Sequence, residues 1–430
     1  MQLTEEFLHY IWQFRLLTKR KLFCTSGEEL VVINPGLLNT HAGPDFSTAE
    51  LKIGSQRWVG NIEIHLKSSD WFLHGHEKDK SYDSVILHAV YENDRDTFRT
   101  DGTLIPVLLL RDLIPQAQFE NYTFLLQHHK ALPCATRIGE TDQQVLTAML
   151  NLTILERFES KYAELLLKMQ QNRFHWNEAF YYLLIRAFGF KVNTVPFEIL
   201  ADALSGNMLS KHRNQPLQIA ALLFGQAGFL EANFKDDYPL QLQTEFRFLR
   251  KKYQLRPADR SLWKFLRIHP QNFPFLRIAQ LSALLDNREH LFAAMLDIDD
   301  HRQFLHFFTS VDVHPYWKNH SAFDKESTGL YSDMGKKSVE SLIINLVCVL
   351  LYSYGKYTDQ KKYLDRALYF LHKVPAEQNV IVRIFGRSGI KATNAHESQA
   401  LLQLHKNYCT QKKCLHCLIG RAIICGSAAL

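Results

Sequence analysis

Residues 43–90, GPDFSTAELKIGSQRWVGNIEIHLKSSDWFLHGHEKDKSYDSVILHAV, decide the fold and hold most of the chemistry in this chain. From Phe46 to Lys67 the text reads as two strands joined at Gly54-Ser55, with Ala49, Leu51 and Ile53, then Ile62, Ile64 and Leu66, at period-two spacing. Side chains of a strand alternate between faces, so Glu63, His65 and Lys67 share the face opposite that apolar row. Three ionisable groups on one face of an apolar strand are costly unless they bind something. Asp45, just after Pro44, enters the first strand and converges on Glu63 if the two strands pair as a hairpin. The Ser68-Ser69-Asp70 cluster is an N-cap signal for a helix over Trp71 to Asp83. Val85 to Tyr91 follows as a buried strand carrying His88.

Working outward, Phe7, Leu8, Ile11, Trp12 and Phe14 recur at helical spacing and predict an amphipathic helix over Glu5 to Leu17. Glu29 to Asn34 predicts the first strand, ended by Pro35-Gly36. The order is then helix, three strands, helix, strand, with Ile105 to Leu110 extending the sheet. Beyond Glu140 helical periodicity takes over, at Val145 to Met169, Trp176 to Phe188, Phe197 to Leu204 and Leu217 to Phe224. The fold class is therefore α+β. A domain boundary is placed between Phe119 and Glu140, giving an α/β core over residues 1–130 and a mainly α-helical region over residues 140–430.

An acid after proline, then acid-x-base on the next strand, resembles the PD-(D/E)XK nuclease superfamily. Pro44-Asp45 stands for the first motif element, Glu63 for the second acid, and His65 occupies the lysine position, with Lys67 one step along the same face. The resemblance implies a restriction-endonuclease-like core in which Asp45 and Glu63, with a backbone carbonyl near Ile64, hold Mg²⁺ or Mn²⁺. It also implies that His65 or Lys67 orients or deprotonates water, and that the first helix adds an acid, Glu5 or Glu6. Acids in a first turn are equally what the helix macrodipole favours. The same block resembles a bacterial domain-of-unknown-function family carrying GPDF, EIH, SSDW and YDSVILH in this order, which brings no activity with it.

Asp70, His74, His76, Asp79 and Tyr82 form a supporting polar set. On a continuous helix His76 and Asp79 share a face, whereas His74 and His76 do not. Each of these is also readable as an ordinary hydrogen-bonding side chain.

The net charge is only +6, yet residues 246–277 (FRFLRKKYQLRPADRSLWKFLRIHPQNFPFLR) carry nine Lys or Arg against the single acid Asp259. Arg250, Lys251, Lys252, Arg256, Lys264 and Arg267, with Tyr253, Trp263 and Phe273 interleaved, suit phosphate pairing and base stacking on nucleic acid. A solvated helix face with core aromatics has the same pattern. Near the C-terminus, His405-x3-Cys409-x4-Cys414-x2-Cys417 has the spacing of a small zinc site. The nuclease resemblance implies an iron-sulfur cluster as the rival, completed by Cys24 or Cys134. Unligated buried thiols are the plain alternative.

Seven cysteines without a secretory pattern argue against a disulfide framework, and the start MQLTEEF has acids where a signal peptide has positive charge. The longest apolar run, Leu342 to Tyr352, is interrupted by Asn345 and predicts a buried helix. The expected location is the cytoplasm and the expected partner is nucleic acid, not membrane. The expected function is a divalent-metal-dependent nuclease or phosphodiesterase. The alternatives are a catalytically degenerate nucleic-acid-binding scaffold, or a histidine-rich metallohydrolase of another fold using His65, His74, His76 and Asp79.

Overall fold

Phe46 pairs with Ile62 and Ile53 with Gln56 across an antiparallel ladder, so the two strands of the quoted stretch form the hairpin the alternation calls for. In the computed structural model, which describes residues 3–18, 21–127, 131–172, 175–266, 268–269, 272–287, 290–328 and 332–426, this hairpin is the centre of a seven-stranded sheet. Its strands are β1 (Leu22–Phe23), β2 (Glu29–Asn34), β3 (Leu37–Leu38), β4 (Phe46–Ile53), β5 (Gln56–Lys67), β6 (Val85–Glu92) and β7 (Val107–Leu109). The order is β1-β2-β4-β5-β6-β7, with β3 beside β4. Strands β2, β4 and β5 are antiparallel, whereas β6 runs parallel to β5 and β7 parallel to β6. A parallel neighbour requires a crossover. Residues 68–84 supply it.

The first helix, α1 (Glu5–Gln13), is capped by the Thr4 side chain and packs Leu8 and Trp12 with Ile62, Ile64, Leu87 and Ala89. It is shorter than its apolar period suggests. Residue Arg15 takes a left-handed backbone (φ 53°) and turns the chain away. The crossover also departs from expectation. Instead of one helix over Trp71 to Asp83 it is a single turn, α2 (Asp70–Leu73), then two 3₁₀ turns at His76–Lys78 and Lys80–Tyr82. Gly75, at φ 76°, breaks the helix, a conformation favoured by the absence of a Cβ. Ser68 and Ser69 bond to Asp94 rather than capping α2.

Contacts divide the chain into two units. The first comprises Met1–Leu150, Arg383–Ile390 and Leu404–Leu430; the second comprises Asn151–Val382 and Lys391–Gln403. The C-terminal cysteine segment therefore belongs with the sheet, although its place in the sequence groups it with the helices that precede it. The first unit also contains α3 (Gln116–Gln127), and α4 (Gln143–Asn172) begins the long helical stretch. In the second unit the helices Trp176–Phe188, Thr194–Ala203 and Pro216–Gln226 fall where periodicity places them. An aromatic cluster of Phe224, Phe229, Phe275, Trp317 and Phe323 fills its interior. The helical stretch Lys336–Tyr357 is long and apolar enough to cross a membrane, and 72% of its apolar window is buried inside the protein. There Asn345 accepts a hydrogen bond from Arg157.

Candidate metal and active site

Pairing of Phe46 with Ile62 places Asp45 opposite Glu63, at the point where β4 begins. The Asp45 N–H donates to Glu63 Oε2 at 3.0 Å, and the Ile64 N–H donates to Asp45 Oδ2 at 2.8 Å. Immediately beyond, β4 gains one extra residue relative to β5, with Thr48 in a left-handed backbone (φ 55°) and its N–H bonded to Asn61 Oδ1. The bulge lets the rest of β4 stay in register while the residue at its mouth turns its carboxylate along β5.

Glu63 is 4% exposed and His65 2%. Glu63 Oε1 lies 3.4 Å from His65 Nε2 and 3.3 Å from His76 Nε2. Burial, with the nearby Asp45 charge, raises the Glu63 pKa, and the neighbouring His76 opposes this. His76 Nε2 stands at ion-pair distance from Glu63, yet it is buried and poorly aligned for a hydrogen bond. Distance without alignment makes this a weak bond. Such a nitrogen is available to an ion.

Because Gly75 breaks the helix, His74 and His76 turn to the same side, contrary to the expectation for a continuous helix. His74 Nδ1 lies 3.1 Å from His65 Nε2, and one ring nitrogen from each of His65, His74 and His76 falls within 4.8 Å of the others. Behind them, His65 Nδ1 lies 2.9 Å from His88 Nε2, and His88 Nδ1 lies 3.2 Å from Thr97 Oγ1. Burial, reinforced by neighbouring imidazoles, pushes His65 down to about 2. Burial likewise pushes His88 down to about 3. Both are neutral at pH 7, the form that ligates metal. Tyr82 stacks on His76 at 3.7 Å, and burial raises its phenol to about 12.

The first helix contributes two residues. Burial raises the Glu5 pKa against a hydrogen bond from the Leu66 backbone, and Asp45, His74 and His9 act on it electrostatically. His9 Nε2 lies 3.2 Å from Asp45 Oδ2. Burial alone would lower the His9 pKa, but the adjacent Asp45 carboxylate raises it. No motif in the sequence marks His9; the one signal is that Glu5-x3-His9 is an i, i+4 pair on one helix face. His88 reads in the sequence only as a strand residue.

Other expected members lie elsewhere. Glu6 pairs with His416 at 2.9 Å on the surface. Lys67 is exposed at the end of β5. Asp70 accepts the Lys67 N–H, and Asp79 accepts from Ser81 to cap the second 3₁₀ turn. Asp79 thus does not share a helix face with His76, because no continuous helix joins them.

Four thiols act on one another electrostatically. Burial raises the Cys134 pKa, followed by the charges of Cys417 and Cys414. Burial raises that of Cys409, followed by Cys134, Cys417 and Cys414. Cys414 is pushed up to about 12 by burial and by Cys417. These four of the seven thiols therefore lie in one electrostatic neighbourhood, with Cys134 the one distant in sequence, but among the described residues only His65, His74 and His76 bring their ligand atoms within 4.8 Å of one another. His405 is bonded to the Ala131 backbone, with Nε2 buried and without a hydrogen-bond partner. Cys24 lies in the core beside β2.

In the basic stretch, Arg250 pairs with Glu231 at 3.3 Å, Lys251 and Lys252 are exposed, and Lys252 lies over the Tyr253 ring. Arg256 and Lys264 are exposed, and Arg267 lies outside the described residues. Trp263 is 4% exposed and donates to the Ala227 carbonyl, so it is core and not a stacking platform. Phe248, 60% exposed, is a ring open to solvent.

Fold and site together define an α+β protein with a cluster of acids and histidines on its N-terminal sheet. The chain belongs to the family described as Protein of unknown function (DUF2851), whose model matches residues 5–380. That span includes the pocket and Cys134; the other three clustered cysteines lie beyond it. No curated protein and no solved structure matches the chain.

Proposed function

We propose that this protein is a divalent-metal-dependent hydrolase of phosphodiester bonds in nucleic acid, acting through the pocket at Asp45 and Glu63. The observation that carries this function is the convergence of Asp45 and Glu63 with the close trio His65, His74 and His76. The antiparallel β2-β4-β5 ladder, the parallel β6 and the preceding α1 match part of the element order expected of a PD-(D/E)XK core, in which the second helix is here reduced to one turn and two 3₁₀ turns; the partial match supports the same class. Three imidazoles beside carboxylates suit Mn²⁺ or Zn²⁺ better than Mg²⁺, which prefers oxygen. A divalent ion here would supply Lewis-acid charge to a phosphoryl oxygen and a nucleophile at neutral pH.

The chain's own residues then have distinct parts. His65, His74, His76 and a carboxylate would hold the ion. His88, bonded to Thr97, fixes the His65 ring, as partners behind metal ligands do. His9, raised by Asp45, is placed to hold a proton near the reacting group. Exposed Arg250, Lys251 and Lys252 would contact phosphates. The exposure of Lys67, with His65 in the superfamily's lysine position, favours the alternative of a non-catalytic nucleic-acid-binding scaffold. The deciding experiment incubates labelled single- and double-stranded DNA and RNA with the full chain in Mn²⁺, Zn²⁺ or Mg²⁺. Cleavage lost in Glu63→Gln supports the hydrolase; binding without cleavage in any metal favours the scaffold.

A further inference from the structure

A cavity of about 400 Å³ opens in the second unit beside Phe188, Phe190 and Asn193, Arg277 at the start of the helix Pro274–Asn287, and Lys337 and Ser338. Arg277 is 5% exposed, and its guanidinium lies 4.3 Å over the Phe190 ring. It donates to Gln280 Oε1 at 2.9 Å, to Ser338 Oγ at 2.8 Å and to Asn272 Oδ1. All three acceptors are neutral. Among the described residues no carboxylate pairs with it, and its Nε is buried without a hydrogen-bond partner. Burial lowers its pKa to about 10, which leaves it charged at neutral pH.

A buried cation without a counter-charge is costly, and proteins ordinarily retain one for pairing. The cavity gives this charge company of the same sign. Lys191 and Lys337 line it and are exposed, the Ser338 and Ser341 hydroxyls add donors, and no acid is among its described lining residues. Three cations with neutral donors match an anion that accepts in several directions, as the terminal oxygens of a phosphate do. The remaining wall is apolar, from Phe188, Phe197 and Val192, and the volume falls within the range of small-molecule sites.

We propose that this cavity is a phosphate-binding site, taking the free anion or a phosphomonoester of mononucleotide size. Arg277, Lys191 and Lys337 hold the phosphate, and the apolar wall takes the organic part. This inference does not depend on the metal pocket, so its test is run in EDTA.

Calorimetry on the full chain would compare inorganic phosphate, adenosine 5′-monophosphate, a 5′-phosphorylated trinucleotide and adenosine. At least one phosphate-bearing probe should bind with a Kd below about 1 mM, and adenosine should not. Tightest binding by inorganic phosphate assigns the site to the free anion, by the mononucleotide to a small monoester, and by the trinucleotide to a strand end. The double variant Lys191→Glu/Lys337→Glu, changed only at exposed positions, should weaken binding at least about tenfold, and Arg277→Met further. Glu63→Gln should bind as wild type. No binding by any phosphate probe up to about 10 mM, equal binding of adenosine, or unchanged affinity in the lysine double variant overturns the proposal. The lysine variant decides the matter even where Arg277→Met fails to fold.

Discussion

Asp45 is tied to Glu63 at the mouth of the β4-β5 hairpin: the Asp45 N–H donates to the Glu63 carboxylate, and the N–H of the next residue, Ile64, donates to the Asp45 carboxylate. Each acid thereby satisfies a backbone donor that would otherwise be unpaired, while the other Glu63 oxygen faces the His65 and His76 rings. The two carboxylates are held by the main chain, so their spacing does not depend on flexible side-chain contacts.

Asn and Gln keep a carbonyl acceptor for those two N–H groups but remove the charge. Asp45→Asn and Glu63→Gln should therefore fold with nearly unchanged melting temperature. Their Mn²⁺ or Zn²⁺ affinity should fall by more than the roughly 10–100-fold typical of residues behind the ligands, with cleavage lost alongside. Calorimetric metal titration beside a thermal melt checks this. Full metal affinity in both variants would place the ion elsewhere.

His88 acts through His65, so its substitution should alter the metal without removing it. In His88→Ala the expected loss of metal affinity is about 10–100-fold, with a changed visible spectrum when Co²⁺ is substituted. His88→Gln, which retains a hydrogen-bonding group toward His65, should recover part of it. A Co²⁺ spectrum identical to wild type in His88→Ala would reduce His88 to a packing residue.

The thiol cluster predicts its own ligand set. If Cys134, Cys409, Cys414 and Cys417 hold one centre, purified protein should contain zinc or iron by elemental analysis. Cys134→Ser should then lose as much of it as Cys417→Ser, whereas Cys24→Ser should keep it. Bound metal lets these thiols ionise despite burial, so its removal should loosen the cysteine segment first. Retention of metal in Cys134→Ser with loss in His405→Gln would restore the ligand set that sequence spacing suggests.

His396, 6% exposed and stacked on His372 at 4.3 Å, is pushed down to about 4 by burial and by His372. Between that value and its unfolded value near 6.5, the unfolded chain binds a proton that the folded one does not. Stability therefore falls as pH drops through this window, by at most about 1.4 kcal/mol per pH unit from this group. Denaturant unfolding of wild type and His396→Gln at pH 7 and pH 5 should show a smaller acid loss in the variant. Parallel losses would mean that His396 titrates normally.

Replacing Arg250, Lys251 and Lys252 with Glu should weaken nucleic-acid binding and flatten its salt dependence, by a slope of roughly 0.7–0.9 for each phosphate no longer neutralised. Fluorescence anisotropy at several salt concentrations measures this. An unchanged slope would make the stretch a solvated helix face.

Period-two alternation determined strands β4 and β5 and the shared face of Glu63 and His65, because a strand's pleat fixes which side each residue takes whatever its neighbours, while short apolar runs marked β2 and β6. Helical periodicity likewise determined Trp176–Phe188 residue for residue. Tertiary structure decided the membership of the pocket. The β4 bulge aimed Asp45, a left-handed Gly75 set His74 and His76 on one side, and α1 brought Glu5 and His9 across the chain. It also coupled Cys134, of three thiols remote from it, to the C-terminal group, and left Arg277 buried with no carboxylate partner among the described residues. Local patterns carry alternation and period. The meeting of residues far apart in sequence depends on how whole elements pack, and no short-range spacing records that.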